Sequence, residues 1–251
     1  MNKMIIYGRN PVLEALKTRP REINKILLSK NASGENVKKI QELAKTAGIP
    51  YTFIDIQKLD KLSNYKNHQG IAAMALAKEY MPLEELIEQA KKSDNPSLCL
   101  LDDVTDPQNL GTILRNACFF GIMGIVIPKR NSAGLTETVE KVSSGALEYV
   151  PVAQVSNIAY TIDKLKEEGF WIVGADTNDG KNIRETEILK PAAFVLGSEG
   201  SGLGKLIKQK CDLLIKIPPN TNSSGNVSSL NVASASAIMF YEFNKTNKIG
   251  K

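Results

Sequence analysis

Between residues 98 and 244 short apolar runs alternate with helical stretches, and no other feature narrows the fold so far. Strand-like runs fall at 98–101, 124–127, 149–152, 171–175, 193–196 and 213–217. Helical segments fall at 111–120, 136–144, 158–168, 202–208 and 230–244. Strands joined by helices of this length run parallel, because each crossover returns the chain to the end where the previous strand began. Parallel strands this apolar are covered by helices on both faces. Ligands of such sheets bind beyond the carboxyl ends of the strands, and that is where the unusual residues of this sequence collect.

The first 78 residues predict a smaller α/β unit. Runs at 4–7, 23–29, 51–54 and 70–77 are strand-like. Asn10-Pro11 opens a helix that continues to Lys17, with proline suited to the first helical turn. Val37, Ile40, Leu43, Ala44 and Ala47 recur at helical spacing, and Gly48 ends that helix. Charge separates this region from the rest. Residues 1–78 hold 14 Lys and Arg against 6 Asp and Glu, whereas the remainder holds 18 against 21. A basic unit on a neutral-to-acidic body points to a phosphate-binding module, although a solvated lysine-rich surface gives the same count. Lys3, Arg9, Arg19 and Arg21 are the candidates for phosphate contact. The polar stretch 79–96 carries a short helix beginning near Pro82 and reads as a linker, which divides the chain into 1–78, 79–96 and 97–251.

Several function classes are disfavoured. No apolar stretch approaches the roughly 18–20 residues that span a bilayer, and the N-terminus has too short an apolar run for a signal peptide. The expectation is a cytoplasmic protein without membrane partners. Cys99, Cys118 and Cys211 are widely spaced among apolar neighbours, with no C-x-x-C, and read as three reduced, buried thiols. His68 is the single histidine, so a zinc site or a serine–histidine triad has little to build on. His68 itself, beside Gly70 at the start of a strand, reads as a packed strand-edge residue before it reads as an RNA contact.

Three segments carry chemistry. In Asp102-Asp-Val-Thr-Asp-Pro-Gln-Asn109-Leu-Gly111-Thr-Ile-Leu-Arg115-Asn-Ala a polar loop leads into a helix. Asn109 is placed near its cap, and Arg115 one turn beyond Gly111 on an otherwise apolar face. A buried arginine there needs an acidic or phosphate partner. The aspartates suit helix capping better than magnesium, and no metal is expected. In Phe194-Val-Leu-Gly197-Ser-Glu199-Gly-Ser-Gly202-Leu a strand ends in a glycine-rich loop. Its order, G-x-x-G-x-G, is not the dinucleotide fingerprint, and Glu199 stands where a pyrophosphate would approach. The third segment runs from Ile217-Pro218 through an Asn/Ser/Gly-rich loop to Ser228-Ser229-Leu230-Asn231-Val232. Ser229 and Asn231 sit at a helix start, where capping is the ordinary role. The helix after them is rich in small residues and lets a ligand or another segment pack close.

Taken together and in this order, N-x-G-x-x-x-R-x-A, L-G-S-E-G-x-G-L and I-P…S-S-L-N-V resemble the SpoU (TrmH-like) family of RNA ribose 2′-O-methyltransferases, over essentially all of residues 95–245. Ile6-Tyr-Gly-Arg-Asn-Pro-Val-Leu-Glu-Ala-Leu and His68-Gln-Gly-Ile-Ala resemble that family's N-terminal RNA-binding domain, particularly in its RlmB-type branch, which modifies a guanosine of 23S ribosomal RNA. The resemblance implies an α/β fold whose C-terminal parallel sheet carries a deep trefoil knot, an exception to the usual connection rules. It implies a homodimer with active sites at the subunit interface and S-adenosyl-L-methionine held bent by backbone groups around Gly197, Ile217 and Leu230. It also implies that Arg115 contacts the hydroxyl or its phosphate, that Asn109 and Glu199 fix local geometry, and that Ser229 and Asn231 position nucleotide and cofactor. Residues 219–227 form a longer loop than the family pattern leads one to expect. Within the family, a transfer RNA guanosine or a ribosomal adenosine stays open as the substrate, and two rival readings stand beside this one. A nucleotide-dependent oxidoreductase is disfavoured by the glycine order, and a non-catalytic RNA-binding assembly factor by the intact polar residues of all three segments.

Overall fold

The computed structural model describes residues 3–177, 179–198, 200, 202–220 and 229–245. The chain divides into two compact units, each treated by itself. Unit 1 comprises residues 1–79 with 134–149, and unit 2 comprises 80–133 with 150–251.

Unit 1 is a four-stranded sheet in the order β1-β4-β2-β3, from β1 (Lys3–Tyr7), β2 (Ile23–Ser29), β3 (Tyr51–Ile54) and β4 (Ile71–Leu76). β4 is antiparallel to both β1 and β2, while β2 and β3 are parallel. The helices α1 (Arg9–Thr18) and α2 (Glu35–Thr46) bring Val12, Leu16, Val37 and Ile40 into one buried cluster with Ile6, Ile26 and Ile71 of the sheet. The four predicted strands are all present. A short helix α3 (Ile56–Leu62), buried only at Leu59, had no clear periodicity in the sequence.

The sequence-based division differs from these units in two places. Helix α6 (Glu137–Ser143) and the turn after it group with unit 1, although their sequence lies inside the second region. A buried charge cluster accounts for that. Arg19 donates to Glu148 (2.9 Å), to Glu22 (2.9 Å) and to the Leu76 carbonyl (2.7 Å), and Lys78 reaches Glu148 at 3.1 Å. The stretch 79–96 holds the short helix expected near Pro82, α4 (Leu83–Lys91), but is more than a linker, because Leu86, Ile87 and Ala90 are buried in the core of unit 2.

Glu140 lies at the bottom of this cluster, 0 % exposed, with its nearer oxygen 3.9 Å from Arg19. Neither oxygen has a hydrogen-bond partner among the described residues. Burial first, and then the neighbouring Glu148 carboxylate, push its pKa up to about 7 against the pull of Arg19 and Lys78. The folded state therefore keeps a proton that the unfolded chain releases from about pH 4.5 upward, so stability falls as pH rises from there to about 7. Glu140→Gln is expected to remove most of that slope, gaining relative to wild type on the order of 3 kcal/mol between pH 4 and pH 8. Urea unfolding of the full chain at several pH values, followed by circular dichroism, checks it; equal slopes in both proteins would show that Glu140 titrates in the folded state as it does in the unfolded chain.

Unit 2 holds a seven-stranded sheet in which every registered pair is parallel, as the strand–helix alternation predicts. Its strands are β5 (Ser97–Leu101), β6 (Ile125–Pro128), β7 (Val152–Val155), β8 (Trp171–Ala175), β9 (Lys181–Asn182), β10 (Ala192–Leu196) and β11 (Leu213–Lys216), ordered β7-β6-β5-β10-β8-β11-β9. The chain steps outward from β5 to β7, crosses to β8, and then inserts β10 between β5 and β8. The order thus reverses at β5 and β10, the kind of crevice where doubly wound sheets bind ligands. The covering helices are α5 (Pro107–Phe120), α7 (Ile158–Glu167), α8 (Lys205–Lys210) and α9 (Val232–Lys245), besides α4. The strand expected at 149–152 begins at Val152, because Tyr149 still belongs to the preceding helical turn. No helix is long and apolar enough to cross a membrane among the described residues.

Candidate active site

The second and third segments meet at the carboxyl ends of β8, β10 and β11. A cavity of about 630 Å³ lies there, within the range of small-molecule sites. Its wall includes Gly197 after β10, Ile217 after β11, and Ser229 and Leu230 ahead of α9, with Val232 and Met239 of α9 supplying apolar surface. Four of the residues singled out in the sequence are therefore on one wall.

Gly197 is buried and closely confined. A Cβ at this position would stand 2.2 Å from the Gly202 carbonyl oxygen and 2.7 Å from the Leu203 nitrogen. The loop closes on itself through the Gly202 amide, which donates to the Ser198 carbonyl (3.0 Å), and Gly202 turns the chain at φ +65°. Glu199 and the loop segment 221–227 lie outside the described residues.

The first segment joins the third by a side-chain contact. Asn231 Nδ2 donates to Asn109 Oδ1 at 2.9 Å, while Asn231 Oδ1 accepts from the amides of Ala233 (2.9 Å) and Ser234 (3.2 Å). Asn231 thus caps α9 with one end of its amide and ties α9 to α5 with the other. Asn109 is not a cap. Asp106 fills that position, accepting from the Gln108 amide at 2.8 Å, and Asn109 sits in the first turn of α5, 9 % exposed. The small residues of α9 serve both purposes the sequence left open. Asn116 of α5 donates to the Ala233 carbonyl (2.8 Å) and to Ser236 Oγ (2.9 Å), whereas Ala235 faces the cavity.

Arg115 is exposed, not buried, and does not line the cavity. It shares an exposed stretch of α5 with Cys118 and with Phe119, which is 82 % exposed. Because its guanidinium remains in water, it has no need of an internal acid and stays available to an external anion.

The phosphate candidates of unit 1 divide. Lys3 and Arg21 are exposed, and Arg9 is half-buried with Nε donating to the Gln69 carbonyl (3.3 Å). Arg19 is a correction: it is 8 % exposed and surrounded by Glu148, Glu22 and Glu140, so it holds unit 1 together and does not face a ligand. His68, 6 % exposed, accepts from the Gly70 amide at Nδ1 (3.0 Å), which leaves the Nε2 proton for Asp60 (2.9 Å). Its role is structural, as its place at a strand edge suggested.

Sequence reasoning missed two cavity residues. Asp176, immediately after β8, is 7 % exposed; its Oδ1 accepts from the Asp179 amide (2.9 Å), and its other oxygen is ion-paired with Lys208. Both Asp176 and Lys208 line the cavity. The signal available was a carboxylate directly at the carboxyl end of a parallel strand.

Comparison with known proteins agrees with this geometry. Residues 96–241 match the model of the SpoU rRNA Methylase family, and residues 5–81 match that of RNA 2′-O ribose methyltransferase substrate-binding domains. YacO of Bacillus subtilis, provisionally named a TrmH family tRNA/rRNA methyltransferase, is 41 % identical over 248 residues, which cover 98 % of this chain and 97 % of YacO. A Staphylococcus aureus protein with the same provisional family name is 42 % identical over 253 residues, covering all of both chains. The crystal structure of an AdoMet-bound rRNA methyltransferase from Sinorhizobium meliloti shares the fold, with a TM-score of 0.78 at 21 % identity over 98 % of this chain and 88 % of its own.

Proposed function

The chain belongs to the SpoU rRNA methylase family, and from that premise we propose that it methylates the ribose 2′-hydroxyl of a guanosine in large-subunit (23S) ribosomal RNA. It is an RNA methyltransferase with both a catalytic and a substrate-binding domain. The observation that carries the reading is the cavity at the ends of β8, β10 and β11, walled by the second and third segments. Its volume, its apolar α9 surface and the close backbone at Gly197 fit S-adenosyl-L-methionine. That cofactor, when bound, supplies a methyl group on a positively charged sulfur that departs as a neutral thioether.

The protein's own task is then to hold the nucleotide in line and handle one proton. Gly197, Ile217 and Leu230 offer the backbone that holds the cofactor. Asn109 and Glu199 fix the local geometry, and Ser229 and Asn231 position the nucleotide and cofactor. Arg115 orients the ribose hydroxyl and stabilises the oxygen as it becomes an alkoxide, while water or a substrate phosphate takes the proton. A guanidinium does not give up its own proton near neutral pH, so stabilisation is the role open to it.

Arg115 sits on the open face of α5 beside Phe119 and away from the cavity of its own chain, which supports a homodimer in which each subunit lends its arginine to the other's cavity. Insertion of β10 between β5 and β8 supports the trefoil knot. The basic surface of unit 1, with Lys3, Arg9 and Arg21, serves the RNA backbone, and the choice of ribosomal over transfer RNA rests on that unit.

The test is transfer of labelled methyl from S-adenosylmethionine to unmodified 23S RNA and, separately, to bulk transfer RNA, with mapping of the labelled nucleotide. Label at a 23S guanosine 2′-oxygen is the expected result. Label confined to transfer RNA would move the substrate, and binding of RNA without cofactor would leave a non-catalytic factor.

A further inference from the structure

The cavity wall contains a carboxylate that the three recognised segments do not include. Val195 pairs with Gly174 and Ile215 with Ala175, which brings Asp176 level with Gly197 on one side and Lys216 on the other. Asp176 therefore stands at the centre of the three-strand mouth, held by its own amide on the Ile215 carbonyl (2.9 Å) and by the Asp179 amide on its side chain. It is the one carboxylate among the described residues of the wall.

A buried carboxylate at a strand end can meet a cation or a pair of hydroxyl donors. The ion pair with Lys208 decides between them. With an ammonium already against it, Asp176 has little uncompensated charge to offer the sulfonium or amino group of the cofactor. A carboxylate still suits neutral O–H donors, since it has about four lone-pair positions and can accept from several partners at once. The ribose of the cofactor brings two vicinal hydroxyls, and acidic side chains beyond a strand end are the usual acceptors for such a diol in doubly wound sheets.

We propose that Asp176, set in place by Lys208 and the Asp179 amide, accepts the ribose hydroxyls of the cofactor and so selects a ribonucleoside ligand. This rests on the cofactor reading above. Asp176→Asn keeps an oxygen for the Asp179 amide but loses the anionic acceptor. Calorimetric titration of the full-length variant is expected to show S-adenosylmethionine and S-adenosylhomocysteine weakened alike, by about ten- to a hundredfold, the scale of a hydrogen bond to a charged group. Wild-type protein should also bind the 2′-deoxy and 3′-deoxy forms of S-adenosylhomocysteine more weakly than the parent, and Asp176→Asn should lose that preference. The wild-type comparison needs no variant to fold. Unchanged affinity in Asp176→Asn, or wild-type indifference to the deoxy forms, overturns the proposal. So does a variant weakened for S-adenosylmethionine alone, which would assign Asp176 to the sulfonium. Wild-type protein that binds none of these ligands would instead refute the cofactor reading on which the proposal stands.

Discussion

Arg115→Ala is expected to lower kcat for methyl transfer by about a hundred- to a thousandfold, the range measured when one charge-stabilising donor is removed from an active site. Cofactor affinity should be unchanged, because Arg115 is assigned to the ribose hydroxyl of the RNA and does not line the cofactor cavity of its own chain. Folding should also be unchanged, because the side chain is exposed and no ion pair among the described residues depends on it. Together these separate a catalytic role from a structural one. RNA affinity should fall only slightly, since one cation among many contributes little to the total phosphate attraction. The proposed homodimer adds a sharper form of the test. If each arginine serves the partner's cavity, a mixed dimer of Arg115→Ala with a variant defective only in the cavity contains one intact site. Mixing the two inactive proteins under exchange conditions should then restore part of the activity. No recovery on mixing would place Arg115 in the site of its own subunit, and a normal turnover rate in Arg115→Ala alone would remove it from the mechanism.

What was legible in the sequence follows from how local each signal is. Six strands of the parallel sheet could be read because each is a short apolar run and most are set apart by helices with ordinary caps, whereas the two-residue edge strand β9, Lys181-Asn182, carries no apolar signal. Thr136 and Asn157 both cap as their residue types predict. Gly197, Ile217, Ser229 and Leu230 all flank strand or helix ends, but it was the resemblance to the SpoU family that grouped them. Assignments that depend on distant partners fared differently. Arg19 looks like any surface arginine in sequence, and only Glu140 and Glu148, more than a hundred residues away, make it a buried structural charge. The same long-range pairing draws 134–149 into unit 1, which no composition shift announces. Asp176 was passed over because its neighbours Ala175 and Thr177 form no motif; its importance comes from strands β10 and β11 on either side. Asn109 does lie near the cap of α5, but the helix starts at Pro107 and not at Gly111, because Asp106-Pro107 supplies the cap and first turn.

Gly197→Ala is the second substitution expected to have a large effect, and its cause is steric. The added Cβ would stand 2.2 Å from the Gly202 oxygen and 2.3 Å from its carbonyl carbon, both backbone atoms that no side-chain rotation can move. Relief requires the loop to swing away from β10, breaking the contact between the Gly202 amide and the Ser198 carbonyl. Overpacking of this kind costs about 1–3 kcal/mol where the surroundings can shift. The functional loss should be greater, because the displaced loop is also the cavity wall. Affinity for S-adenosylmethionine is expected to fall by at least about a hundredfold, a loss of roughly 3 kcal/mol in binding. Gly200→Ala is the matched control for stability, since a Cβ there meets nothing within 4 Å. Thermal unfolding and calorimetric titration of both variants distinguish the outcomes. A lowered melting temperature with lost binding in Gly197→Ala, beside a wild-type melting temperature in Gly200→Ala, is the expected pair. Wild-type affinity in Gly197→Ala would mean that the loop relaxes without disturbing the ligand, and the close backbone at Gly197 would then not form part of the cofactor site.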